Sequence, residues 1–186
     1  MKANIVEVIQ KNLEYPELQK IDPNIQETKD NYIQSPVEKL AQAAIPAVLA
    51  GLYRLSRTAE GAAVLLQPPK TNWLPDLFGD KKDGAVQKVA GYAGTDTAET
   101  RSQMENIATE AIRILRKDTG EDATPEKVKK YMSDHRHNIL VYLPAAMAIG
   151  GMLDDEALDD RTNKMEGPVS NMVHKIEDKL SGGGGT

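Results

Sequence analysis

Apolar residues recur three and four positions apart over much of the chain, which is the spacing of one face of an α-helix. The clearest runs are Ile5, Val8, Ile9 and Leu13; Met104, Ile107, Ala108, Ala111 and Leu115; and Val169, Met172, Val173, Ile176 and Leu180. No stretch alternates apolar and polar residues as a half-buried strand would. The pattern predicts an all-α fold, and we expect a single compact bundle of roughly seven to nine helices.

Residue types that begin helices precede several apolar runs. Ser35 and Glu38 form a capping-box pattern, in which the serine oxygen accepts a hydrogen bond from a free backbone N–H group and the glutamate accepts one in return. Pro36 between them suits the first helical turn. Further helix starts are predicted at Asp96, Thr124 and Gly167.

Two apolar segments resemble each other. Residues 45–50 (IPAVLA) and 143–148 (LPAAMA) share a proline after an aliphatic residue and alanines at the same positions. The second lies within residues 139–153, fifteen residues without a charge, and spanning a bilayer takes about 20. We therefore expect two buried central helices, bent at Pro46 and Pro144, and propose that they mark a pseudo-repeat.

A segment rich in proline and glycine, residues 67–84, is the clearest linker in the chain. It is predicted to join two halves, residues 1–66 and 85–180, within one helical domain of residues 1–180. Residues 181–186 (SGGGGT) have the composition of a flexible tail. The segment also holds Trp73 and Phe78, which are candidates for partner recognition because aromatic residues dominate binding hot spots. The alternative is that both rings pack onto the bundle.

The sequence IPAVLAGLYRLSRTAEGAAVLL, residues 45–66, resembles the YidB-like group of bacterial helical proteins of unknown function. Residues 86–117 have a similar layout of a turn followed by an alanine-rich helix, although Thr109 and Glu110 stand where a proline would be expected. The likeness covers residues 36–117. It implies an all-α fold and a bacterial source, and it brings no catalytic residue.

Charge and composition narrow the classes of partner. The chain has 23 basic and 28 acidic residues, a net charge of −5, and lacks the basic stripe with which proteins bind nucleic acid. Without cysteine it has no disulfide, no thiol nucleophile and no cysteine-ligated metal. The N-terminus does not resemble a signal peptide, so a cytoplasmic location is expected.

Two groups of side chains resemble metal ligands. His135 and His137 are close in sequence, but residues two apart on a helix face different directions. Asp155 and Asp159 belong to an acidic run that lacks the alternating ligands and central glycine of a calcium loop. A polar helix and a solvated acidic turn explain these residues better, so we predict no metal and no cofactor.

Three functions are compatible with these patterns. The favoured one is a non-catalytic helical interaction or assembly protein, which binds a protein partner or itself. The alternative is a membrane-surface or lipid-binding protein, in which the apolar segments around Pro46 and Pro144 would swing out. A metal-dependent enzyme is the least favoured of the three. Whether the protein has any catalytic activity stays open, and the sequence favours a protein without one.

Overall fold

The computed structural model of the protein describes residues 3–22 and 35–152. Of these residues, 73% are helical and none lies in a strand, which confirms the all-α prediction for the described part. The helices are α1 (Ile5–Asn12), α2 (Pro36–Leu55), α3 (Ala59–Leu65), α4 (Leu74–Phe78), α5 (Lys82–Ala93), α6 (Thr97–Thr119), α7 (Pro125–Leu140) and α8 (Ile149–Met152). Two turns of 3-10 helix occur at Gly79–Lys81 and Ala145–Met147.

The described residues contain six helices of at least seven residues, fewer than the seven to nine expected. The remaining two, α4 and α8, have five and four residues. The expected start at Gly167, the apolar run from Val169 to Leu180 and the tail 181–186 lie outside the described residues.

Helix α2 is the centre of the bundle and packs against α1, α4, α5, α6 and α7. Every residue from 40 to 52 is buried, so the helix is enclosed on all sides. Small residues make this enclosure possible, because alanine and glycine let neighbouring helices approach closely. Gly51 shows the limit: a Cβ atom there would lie 3.1 Å from the Cβ atom of Leu77 in α4.

The two similar proline segments adopt different structures. Pro46 is buried inside α2, which continues as helix on both sides of it. Pro144 has extended backbone angles (φ −61°, ψ 137°), and α7 has already ended at Leu140. The prediction of a bent helix at Pro144 is therefore wrong, because the chain leaves the helical conformation before the proline. The proline ring disfavours helical backbone angles at the residue before it, which is consistent with this early end. The two segments are not structural counterparts, so the pseudo-repeat is not present in them.

Helix ends follow the predicted signals in the described residues. The Ser35 Oγ atom accepts from the Glu38 N–H group at 3.2 Å, and the Glu38 carboxylate accepts from the Ser35 N–H group at 2.9 Å. Asp96 and Thr124 cap α6 and α7 through their side-chain oxygens. Gly120 ends α6 with φ 83°, a backbone angle that side chains disfavour.

Residues 15–22, after α1, form no helix and are held to the bundle by a buried amide. Gln42 in α2 has no exposed surface. Its side-chain oxygen accepts from the Gln19 N–H group at 2.8 Å, and its amide nitrogen donates to the Gln19 carbonyl at 2.9 Å and to the Tyr142 carbonyl at 2.6 Å. One side chain thereby fastens the N-terminal arm and the chain after α7 to the central helix.

The expected loop 67–84 is helical over much of its length. It contains α4, the 3-10 turn Gly79–Lys81 and the start of α5. The prolines do not prevent this, because Pro75 lies in the first turn of α4, where a backbone N–H group is not required. One hydrophobic cluster includes residues from both sides of the segment, from Ile5 to Ile149.

Candidate functional site

A groove of about 600 Å³ runs between the end of α1, the first turn of α2 and the outer face of α6. We call it the α1–α6 groove. Its lining residues are Leu13, Glu14, Tyr15, Val37, Thr71, Gln103, Glu105, Asn106, Thr109 and Glu110.

Hydrogen bonds to α6 from α1 and from the residues just after it fix one wall of the groove. The Tyr15 hydroxyl donates to the Gln103 side-chain oxygen at 2.6 Å, and the Asn12 amide donates to the Glu110 carboxylate at 2.7 Å. Glu14 has φ 56°, so the chain turns sharply just after α1. The Tyr15 carbonyl accepts a hydrogen bond from the Gln10 side chain at 2.5 Å, which holds Tyr15 beside α1.

The opposite wall is anchored by Glu105 of α6. Its carboxylate accepts from the backbone N–H groups of Trp73 at 2.7 Å and Leu74 at 3.2 Å. These two groups belong to the start of α4, where N–H groups have no partner within the helix. A side chain on one helix therefore caps another and holds the segment before α4 against α6.

The groove is lined by acidic and neutral side chains, with no basic residue among them. Glu110 forms two hydrogen bonds of 2.7 Å with Arg113, and these bonds hold the pKa of Glu110 below its ordinary value. Burial, with a smaller effect from Glu99, raises the pKa of Tyr15, so its hydroxyl stays protonated at neutral pH. The groove thus presents carboxylate and amide oxygens as hydrogen-bond acceptors.

Val37 gives the rim of the groove an apolar contact point. Its surface is 53% exposed, and it is the only exposed large hydrophobic residue in the part of the chain that the structure describes. It lies in the first turn of α2, before the buried stretch that begins at Leu40. Its exposure therefore follows from the helix beginning outside the core.

The aromatic residues proposed for recognition are in the core. Trp73 is 1% exposed and Phe78 3% exposed. The Cζ atom of Phe78 would lie 3.4 Å from a Cβ atom at Gly51, so its ring fills space beside the central helix. Neither ring is exposed to a protein partner. Both pack into the helical bundle, which was the alternative prediction.

The histidines considered as metal ligands face different directions. His135 is buried, with its ring centroid 4.6 Å from that of Tyr131, whereas His137 is exposed. Within residues 3–22 and 35–152 no group of three or more histidine, aspartate or glutamate side chains is placed to hold a metal ion. Asp155 and Asp159 lie outside the described residues.

Comparisons with known proteins give no further identification. No protein-family model, no curated protein and no solved structure matches the chain. The resemblance to the YidB-like group stays a prediction from residues 45–66 and 86–117. Among the described helices, none combines the length and the apolar composition that crossing a membrane requires.

The residues of the groove are not recognisable as a site from the sequence. Tyr15 and Gln103 are 88 positions apart, and Asn12 and Glu110 are 98 apart, so no local motif connects them. Val37 carried no signal either, because it lies three and four positions before the buried Leu40 and Ala41, a spacing that predicts burial.

Proposed function

We propose that the protein is a non-catalytic helical interaction protein that binds a segment of a protein partner in the α1–α6 groove. The observation that carries this proposal is a concave surface of about 600 Å³ with the exposed Val37 on its rim, where an aliphatic residue of a partner would bury apolar surface on binding. A bacterial setting, from the YidB-like resemblance, and a cytoplasmic one, which the absence of cysteine fits, are part of the same proposal.

The charges of the groove define the chemistry of the partner segment. Glu14, Glu105 and Glu110 line it and no basic residue does. Arg113 compensates the charge of Glu110, so the charges of Glu14 and Glu105 make a segment with lysine or arginine electrostatically complementary. The side chains of Gln103 and Asn106 add neutral hydrogen-bonding groups. We therefore expect a basic segment with one aliphatic residue that packs against Val37.

Selection of peptides on the full-length protein tests this proposal and defines the partner sequence in the same experiment. Peptides enriched from a random displayed library are expected to carry a basic residue near an aliphatic one. Val37→Ser removes the apolar contact and is expected to weaken them about tenfold or more. Gln87→Ser, on the exposed face of α5, is the matched control and leaves their affinity unchanged.

Two results would contradict the proposal: the absence of enriched peptides, or peptides that bind wild type and Val37→Ser equally. A second copy of the chain is one source of the partner segment. Light scattering over a wide concentration range would then show an oligomer for the wild-type protein and a monomer for Val37→Ser.

The lipid-binding alternative has less support. The apolar residues that suggested it lie in the core, with Ile45 at 0% and Tyr142 at 4% exposure. Exposing such residues to water costs about 25 cal/mol of free energy for each Å² of apolar surface. Co-sedimentation with anionic vesicles, at neutral and acidic pH, tests it directly, and pelleting of the protein would favour this alternative over the proposal above.

A further inference from the structure

A second, smaller cleft of about 280 Å³ lies on the other side of the segment before α4, between that segment and α6. We call it the Trp73 cleft. Its floor is formed by Trp73 and Ile112, which are 1% and 3% exposed, and its apolar wall by the exposed Pro69. Lys70, Arg113 and Arg116 surround them. The cleft thus combines an apolar interior with cations, and no acidic side chain lines it.

Two of the three cations are paired with carboxylates. Lys70 contacts Asp76 at 2.5 Å, with its ammonium group 4.7 Å from the centre of the Trp73 ring. Arg113 is bound to Glu110. Their charges are therefore largely compensated in the structure.

Arg116 differs from these two cations. Its guanidinium donates from Nε to the Leu65 carbonyl at 2.9 Å and from Nη2 to the Gln67 carbonyl, both neutral acceptors at the end of α3. No carboxylate in residues 3–22 or 35–152 forms an ion pair with it. Partial burial lowers the pKa of Arg116 from its ordinary value, which reflects a charge that water solvates poorly. The two carbonyls fix the guanidinium in place while leaving other N–H groups free to donate.

We propose that the Trp73 cleft binds a small organic anion, with an alkyl or aryl body beside Pro69, over the floor formed by Trp73 and Ile112, and a carboxylate on Arg116. An apolar body buries surface against the cleft walls, and the carboxylate compensates the charge of Arg116. This site shares Thr109 with the α1–α6 groove but none of its other lining residues, and it takes a free small molecule in place of a protein segment.

Trp73 is the only tryptophan of the chain, so its fluorescence reports directly on the cleft. Octanoate serves as the probe and octan-1-ol as its uncharged counterpart. Titration of the full-length protein to millimolar octanoate is expected to change Trp73 fluorescence saturably and to raise the melting temperature. Octan-1-ol is expected to bind at least tenfold more weakly, because it lacks the charge that Arg116 recognises.

Variants assign the binding to this cleft. Arg116→Gln is expected to weaken octanoate about tenfold to a hundredfold, the usual effect of removing a hydrogen bond to a charged group. Arg116 also holds the end of α3, so a second pair of variants avoids that contact. Thr109 is exposed at the cleft: Thr109→Glu places a negative charge there and is expected to abolish binding, whereas the neutral Thr109→Gln retains it.

The proposal is overturned if octanoate leaves Trp73 fluorescence unchanged, or if octan-1-ol binds as tightly as octanoate. Equal binding of octanoate by Thr109→Glu and Thr109→Gln would also overturn it. The two Thr109 variants alone decide the matter if Arg116→Gln does not fold.

Discussion

Replacing Gln42 by methionine removes the buried amide that fastens two parts of the chain to α2, while keeping an unbranched side chain of similar length. Three hydrogen bonds are lost, to the N–H and carbonyl groups of Gln19 and to the carbonyl of Tyr142. The helix itself is unaffected, because methionine is as good a helix former as glutamine.

The size of the effect follows from the burial of each partner. The two groups of Gln19 are only partly buried, so losing each bond costs about 1 kcal/mol. The Tyr142 carbonyl is buried and loses the Gln42 donor, which costs about 2 kcal/mol. Burial of the additional apolar surface of methionine stabilises the folded state by about 1 kcal/mol. Gln42→Met should therefore lower the free energy of unfolding by about 3 kcal/mol.

Equilibrium unfolding in urea measures this difference, and hydrogen exchange locates it. The amide of Gln19 is expected to exchange faster in the variant, as is that of Ile21, which donates to the Val141 carbonyl at 2.8 Å. Gln87→Met, at an exposed position of α5, is the control and should change stability by less than about 0.5 kcal/mol. A loss below about 1 kcal/mol in Gln42→Met would refute the role assigned to this amide.

Two further predictions concern a close backbone contact and a buried hydroxyl. Gly61→Ala would place a Cβ atom against the Leu55 carbonyl, so it should lower the urea midpoint and destabilise by more than about 2 kcal/mol. Gly91→Ala meets nothing within 4 Å and should stabilise α5 by about 0.5–1 kcal/mol; equal effects would contradict the geometry. Burial and a 2.9 Å hydrogen bond to Asp118 raise the pKa of Tyr131 above its ordinary value. The folded state thus keeps this proton, and stability should fall as the pH rises above about 10, less steeply in Tyr131→Phe; identical pH profiles would refute this.

Local signals in the sequence determined much of the fold. The caps at Ser35, Asp96 and Thr124 and the stripe around Ile107 depend only on neighbouring residues, and the structure confirms each. The different directions of the two histidines in α7 likewise follow from helical geometry. Such features are predictable because their physical causes lie within one or two helical turns.

The two proline segments show where local pattern is insufficient. Their sequences are similar, yet the helix continues through Pro46 and has ended before Pro144. Around Pro46 the neighbouring helices enclose α2, and this packing offsets the lost backbone hydrogen bond. After Pro144 the chain turns again at Ala148, which has φ 41°. The difference lies in tertiary contacts that are remote in sequence.

The candidate site was unpredictable for the same reason. Its wall depends on hydrogen bonds that α1 and the residues after it form with α6, and α1 and α6 are brought together by packing against each other and against α2. Trp73 and Phe78 are of the residue types that dominate hot spots, but the structure uses them in the core. Residue type alone does not distinguish a binding hot spot from a core contact.

An NMR titration of the labelled full-length protein with a peptide selected on it tests most directly whether the α1–α6 groove is the interaction surface. We expect the largest chemical-shift changes at Tyr15, Val37, Gln103 and Asn106, with little change on α5, and weaker binding as the salt concentration rises. Changes concentrated elsewhere, with the groove residues unaffected, would contradict the assignment of the α1–α6 groove as the interaction surface.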